Sequence, residues 1–197
     1  MNLRQLPVIP TIVVVAAAAI MVALGVWQLG RADEKAALIA EYSAIDAEQP
    51  ATRISASSTS TWQIDLRFQQ VSLDCSRIDG IRSAAGTSDR GAKGWAIIAK
   101  CTLSNLDPVE VKLGWARDPN PPEWIGGEIT GVVDQNGRIV ADPSLAGLQP
   151  LAKPDPGDLP NNHLAYAGQW FFFALTALVI YWFAIQSRLK ARQEEEG

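Results

Sequence analysis

Two stretches near the ends of this chain carry almost no charge, and they limit what it can become. Between Arg4 and Arg31 there is no ionisable side chain, and residues 10–29 read PTIVVVAAAAIMVALGVWQL. Between Asp158 and Arg188 only His163 and two tyrosines can titrate, and residues 164–185 read LAYAGQWFFFALTALVIYWFAI. About 20 apolar residues at ~1.5 Å rise cover a hydrocarbon core of ~30 Å. Both runs are apolar on every side rather than along one stripe, which argues against buried core helices of a soluble fold. We read them as transmembrane helices over 10–30 and 163–186.

The first apolar run is longer than the ~7–15 residues of a signal-peptide core, and no small-x-small site follows it. It is therefore expected to be an uncleaved anchor. A long leader rich in Arg and Ser is lacking too, which points to a bacterial chain rather than a mitochondrial one. Two spans put both termini on one side. Arg188, Lys190 and Arg192 beside the second span place that side in the cytoplasm. Residues 1–9 and 187–197 are then cytoplasmic, and the long loop is periplasmic, in a bacterial inner membrane. Trp27 and Trp170 fall near the outer interface, Tyr181 and Trp182 near the inner one.

After Arg31 the helix formers continue, so 31–49 is expected to extend the first helix to about Glu48, with Pro50 stopping it. Residues 51–61 are rich in Ser and Thr and read as loop. From Trp62 the period becomes two. Val71, Leu73 and Cys75 alternate; Trp95–Ala99 is a short apolar run; Val109, Val111, Leu113 and Trp115 alternate strictly. Asn136-Gly137 suits a type I′ hairpin turn, in which both central residues need positive φ. The expectation for 50–162 is five or six strands in an antiparallel sheet or small open barrel, followed by a proline-rich return over 142–160. The fold class is thus membrane α+β, a two-helix transmembrane hairpin bracketing a periplasmic β domain. Cys75 and Cys101 either form a disulfide, which that compartment permits, or stand as two buried thiols.

Charge and motif exclude several functions. A net charge of −4 gives no basic face for nucleic acid. One histidine and two separated cysteines cannot build a structural zinc site. No nucleophile signature or phosphate-binding glycine loop stands out, so no enzymatic activity is expected. The unusual polar residues lie at the outer ends of the two spans. Trp27 and Arg31 share a helix face at i, i+4, with Gln28 beside them. On the second helix His163, Tyr166 and Trp170 share a face, with Asn162, Tyr166 and Gln169 on the next strip. The plain reading is interfacial anchoring, with Asn161 or Asn162 capping the helix and Arg31 meeting lipid phosphate. The alternative is a site for a planar amphiphile such as haem, with the His163 imidazole on the iron and Arg31 on a propionate. Quinone and lipid sites use the same residue types.

Two motifs resemble the surfeit locus family of cytochrome c oxidase assembly factors. They are Leu24-Gly-Val-Trp-Gln-Leu-Gly-Arg31, followed by Lys35, and Pro160-Asn-Asn-His-Leu-Ala-Tyr-Ala-Gly-Gln-Trp-Phe-Phe172. In the middle, Lys112-Leu-Gly-Trp-Ala-Arg117 keeps only Gly114 and Trp115 of the family's Arg-Gly-Trp-Val-Pro. The resemblance implies a non-enzymatic role in placing haem a in the oxidase catalytic subunit. The partners would be that subunit or the haem a synthesis machinery. It implies His163 as haem ligand, with Trp27, Gln28, Arg31 and Tyr166 nearby. Two other readings remain at this stage: a cofactor-free chaperone docking on the oxidase subunit, and a periplasmic sensor or quinone-site protein.

Overall fold

The computed structural model describes residues 7–45, 49–55, 61–103 and 108–195. Arg4, the side chain of Arg192, Glu48 and residues 56–60 of the Ser/Thr-rich stretch, which entered the expectations above, lie outside the described residues. Two compact units result. One holds residues 1–38 and 160–197, the other 39–159.

The first unit is built on two helices, α1 (Val8–Ser43) and α3 (His163–Glu195). Pro10 falls in the first turn of α1, where its missing N–H costs nothing. Both helices are long and apolar enough to cross a membrane, and only 11% and 6% of their most apolar windows are buried. A soluble core helix would hide most of such a surface; here Ile12, Val13, Ile20, Phe172, Ile180 and Phe183 point outward.

Half-buried and buried positions on α1 run Thr11, Val14, Ala18, Met21, Gly25, Gln28, Ala32, steps of three and four. On α3 they run His163, Ala167, Trp170, Ala174, Ala177, Tyr181. That period is the seam of an antiparallel pair. The fully buried members are all small: Ala18, Gly25, Ala32, Ala167 and Ala174. Lipid tails are as apolar as leucine, so membrane helices associate through close backbone approach and hydrogen bonds. A Cβ on Gly25 would lie 2.6 Å from Phe171 Cε1. At the other end the Thr11 and Tyr181 hydroxyls hydrogen-bond across the pair. The Tyr181 hydroxyl thus holds the helices in register, a role the aromatic belt alone did not suggest.

α1 loosens before Pro50 is reached. Ala44 N–H bonds to both Ala40 and Glu41 carbonyls, and Ile45 N–H to Tyr42. Ser43 Oγ donates back to Ile39 O at 2.7 Å. These tighter bonds satisfy the last carbonyls of the helix.

The second unit is a seven-stranded sheet: β1 (Thr52–Arg53), β2 (Gln70–Cys75), β3 (Arg77–Thr87), β4 (Lys93–Thr102), β5 (Val109–Ala116), β6 (Gly127–Val133) and β7 (Ile139–Ala141). Their order is β1-β2-β6-β7-β5-β4-β3. The sheet is mixed, because β1 runs parallel to β2 and β7 parallel to β5. Strands of two and three residues are too short to show alternation, which is why five or six antiparallel strands were expected.

β2 and β3 are consecutive, separated by Ser76 alone, yet four strands lie between them in the sheet. The sheet must roll to bring them together, as in an open barrel. Cys75 on β2 and Cys101 on β4 are disulfide-bonded at that corner, with Cα atoms 5.5 Å apart. The concave face holds the main core, including Val71, Leu73, Ile97, Val111, Leu113, Ile129 and Ile139, with Trp62 of α2 (Trp62–Asp65) packed in. A bulge between Ile97 and Ile98 breaks the β4–β5 register. Past it the alternation of β5 flips, so Trp115 joins Ala96, Ile98, Val140 and Leu151 in a second cluster.

The β6–β7 turn differs from the type I′ expectation. Only Gly137 has positive φ, 78°; Asn136 does not. Gly137 N–H bonds to Asp134 O, and Asp134 N–H to Arg138 O. The Asp134 carboxylate accepts from the N–H groups of Asn136 and Arg138 at 2.8 and 3.0 Å. This is a three-residue loop with glycine in the left-handed position. The carboxylate, itself buried and paired with Lys112 at 2.7 Å, organises the wider turn.

The proline-rich return lies against β5. Trp115 exchanges backbone bonds with Gln149, and Leu145 N–H bonds to Leu113 O. Gly114 sits beneath this crossing, where a Cβ would be 2.5 Å from Leu148 Cβ.

On the convex face Glu110 accepts from Arg82 at 2.8 and 3.1 Å and pairs with Arg138 at 2.7 Å. The Arg82 hydrogen bonds hold its carboxyl below the usual range, aided by the charges of Arg82 and Arg138. A depressed pKa stabilises the fold above the ordinary value of 4.5 and loses that contribution as pH falls through the lowered one. Thermal midpoints should therefore drop with acidification, and less steeply in Glu110→Gln; the difference should be about 1 kcal/mol or less, since the network is partly exposed. The disulfide closes a 26-residue separation, worth about 3.5 kcal/mol by chain entropy. Cys75→Ala/Cys101→Ala should lose stability of that order in denaturant titrations.

Candidate functional site

The polar residues of the helix pair gather at one end of the seam, where α3 begins. Asn162 supplies the first carbonyl of α3, accepting from Tyr166 N–H. Of the two asparagines expected to cap the helix, Asn162 thus stands at the cap position and Asn161 is used differently. Asn161 Nδ2 donates to Ala32 O on α1 at 3.2 Å, and its Oδ1 is buried without a protein partner. Asn161 therefore ties the two helices together, and the Asn162 side chain is exposed.

One turn further along, His163 meets Gln28. Nδ1 lies 2.7 Å from Gln28 Oε1. An amide oxygen can only accept, so this bond needs a proton on Nδ1, and in the neutral ring Nε2 then keeps its lone pair. Both residues are half-buried in the seam. Metal-binding histidines are oriented in this way, by a hydrogen bond from the other ring nitrogen.

The remaining residues surround this pair with more freedom. Trp27 and Tyr166 are 57% and 51% exposed. Trp170 is half-buried and meets Phe173 edge to face at 6.4 Å. Gln169 is exposed. Arg31 forms an ion pair with Glu34 one turn along its own helix, and both side chains are well exposed. The group that touches the imidazole is thus the Gln28 amide, while the Arg31 guanidinium is engaged locally. The i, i+3 spacing of Arg31 and Glu34 is a legible sequence signal for that pairing. The Asn161–Ala32 bond is not, because its acceptor is a backbone carbonyl. Among the described residues no group of three or more His, Cys, Asp or Glu is arranged to hold a metal ion.

A family model described as the SURF1 family matches residues 15–175, spanning both helix motifs and the sheet between them. The chain belongs to the SURF1 family. It is thereby associated with the assembly of cytochrome oxidase, in a family of assembly factors rather than a known enzyme family. No significant match occurs among curated proteins. Within this SURF1 chain the Gly25 and Trp27-Gln28 segment supplies the close approach and the amide. The Asn161–His163 segment supplies the His163 bond to that amide and the Asn161 bond to the Ala32 carbonyl.

The chain has one histidine, so its ring can be read directly. Nitrogen NMR of labelled protein in detergent should report the Nδ1–H tautomer. Gln28→Leu should remove that preference and destabilise the helix pair by about 0.5–2 kcal/mol. An unchanged tautomer would show that another group holds the ring.

Proposed function

We propose that this protein assists haem a insertion into the catalytic subunit of a haem-copper oxidase by holding the haem transiently at the outer end of its helix pair. The observation carrying this is the His163–Gln28 bond, which leaves Nε2 as a free donor on an oriented imidazole. The donor set suits haem. His163 Nε2 would be the axial ligand, with Trp27, Tyr166 and Trp170 as aromatic surface and Asn162 at the rim. Arg31 would meet a propionate, since its exposed pair with Glu34 is weak enough to exchange. When bound, haem would supply an iron atom open to imidazole coordination and two anionic propionates.

The protein's own task is to bind and release. A single imidazole gives grip without permanence, and half-buried neighbours leave a face open to the receiving subunit. The absence of charge over residues 10–30 of α1 and 163–187 of α3, and the basic residues Arg188 and Lys190 in the last part of α3, support an inner-membrane location with cytoplasmic termini and a periplasmic sheet unit.

Protein purified from cells that make haem a should show a Soret band. His163→Ala should lose haem content by about tenfold or more, and Gln28→Leu by a smaller factor, because it removes only the bond that orients the ring. Full haem content and an unchanged Soret position in His163→Ala would overturn the ligand assignment. Cofactor-free protein co-purifying with the oxidase subunit would instead support a scaffold.

A further inference from the structure

We propose a second site, independent of the haem reading: the free edge of β3 docks an extended, acidic segment of a partner protein, which adds to the sheet as a further strand. β3 is an edge strand of eleven residues. The opposite edge is blunted, because β1 has only two. Natural sheets shield long edges, since unpaired N–H and C=O groups template pairing with another chain.

The direction of those groups follows from the ladder. Ser88 N–H bonds to Ala92 O, toward the β4 side, while Thr87 O accepts from Ala152 N–H on the other side. In an antiparallel pair this alternates. The backbone groups of Arg82, Ala84 and Gly86 therefore face β4, and those of Ile81, Ser83 and Ala85 face outward. The Thr87 end of that outer side is covered by the return segment, and the Ser83 hydroxyl donates to Pro119 O. Among the described residues no backbone bond reaches the outward groups of Ile81, Ser83 and Ala85. Residues 83–87 read SAAGT, with no charge to repel an added strand.

Charge selects the occupant. The convex face beside this edge carries a shallow pocket lined by Gly80, Arg82, Ile98, Lys100 and Glu110. Glu110 is the one carboxylate there, and Arg82 and Arg138 both pair with it. Lys100 is exposed and makes no close ion pair among the described residues, while the Thr102 and Arg77 bonds, helped by the Lys100 charge, hold the Asp79 carboxyl on β3 below the usual range. Gly80 pairs with Lys100 across the ladder, and the space above its Cα is open. A carboxylate on an added strand opposite Gly80 can reach over it to Lys100. One opposite Arg82 makes a cross-strand pair. Main-chain bonds would give affinity, and these two cations would set the preference for acidic side chains.

The test uses the full chain in detergent and a ten-residue peptide alternating valine with glutamate. A matched peptide with lysine for glutamate is the control. Amide exchange of the free protein should be fast at Ile81, Ser83 and Ala85 and slow at Arg82, Ala84 and Gly86. The acidic peptide should slow the first set by about tenfold or more. Lys100→Glu should weaken binding about tenfold, and Ala85→Pro, which removes an outward donor, should abolish it. Where Ala85→Pro fails to fold, Lys100→Glu decides, because that side chain is exposed. Equal binding of the lysine peptide, or binding indifferent to Lys100→Glu, overturns the proposal. So does edge protection that grows with protein concentration in the absence of peptide, which would assign the edge to a second copy.

Discussion

In hydrocarbon no water is present to satisfy a peptide group, so every N–H and C=O must bond within the segment. For the two uncharged stretches of this chain that leaves the helix. It also removes the force that packs soluble helices, since burying leucine against leucine gains nothing over lipid. What remains is contact and hydrogen bonding. The seam of α1 and α3 is made of these: small residues where the backbones approach, and side-chain bonds near either end at Thr11–Tyr181 and Gln28–His163.

The hydrogen bond that holds the helices also orients the imidazole proposed as ligand. A half-buried imidazole needs a partner for Nδ1–H, and Gln28 provides it. The same bond orients the ring and leaves Nε2 as the donor. Packing and the proposed haem site thus draw on one contact. Arg31 stands apart from this economy. Its exposed pair with Glu34 contributes little to stability, which leaves the guanidinium free to change partners.

The sheet unit solves a different problem. Its chain runs from β2 straight into β3 although four strands separate them, so the sheet is rolled, and a disulfide pins the corner. Rolling encloses the core without closing the barrel. One long edge survives beside a surface with more cations than carboxylates. An assembly factor must meet other chains, and an uncovered strand edge is a ready means of doing so.

Much of this was legible in the residues. The absence of charge between Arg4 and Arg31 and between Asp158 and Arg188 determines the spans, because composition alone decides the partition into lipid. Alternation over Val71–Cys75 and Val109–Leu113 determines those strands, because each buries one face. The motifs around Trp27-Gln28 and His163 pointed to the family and to the candidate site. Only the tertiary structure decided which polar groups meet. Asn161 turns to a backbone carbonyl on α1, and His163 finds an amide rather than a guanidinium. Likewise the bulge that flips Trp115 and the carboxylate that widens the turn at Gly137 depend on neighbours distant along the chain or on one competing side chain. Periodicity reports which face a residue occupies. It carries no information on what lies across from it.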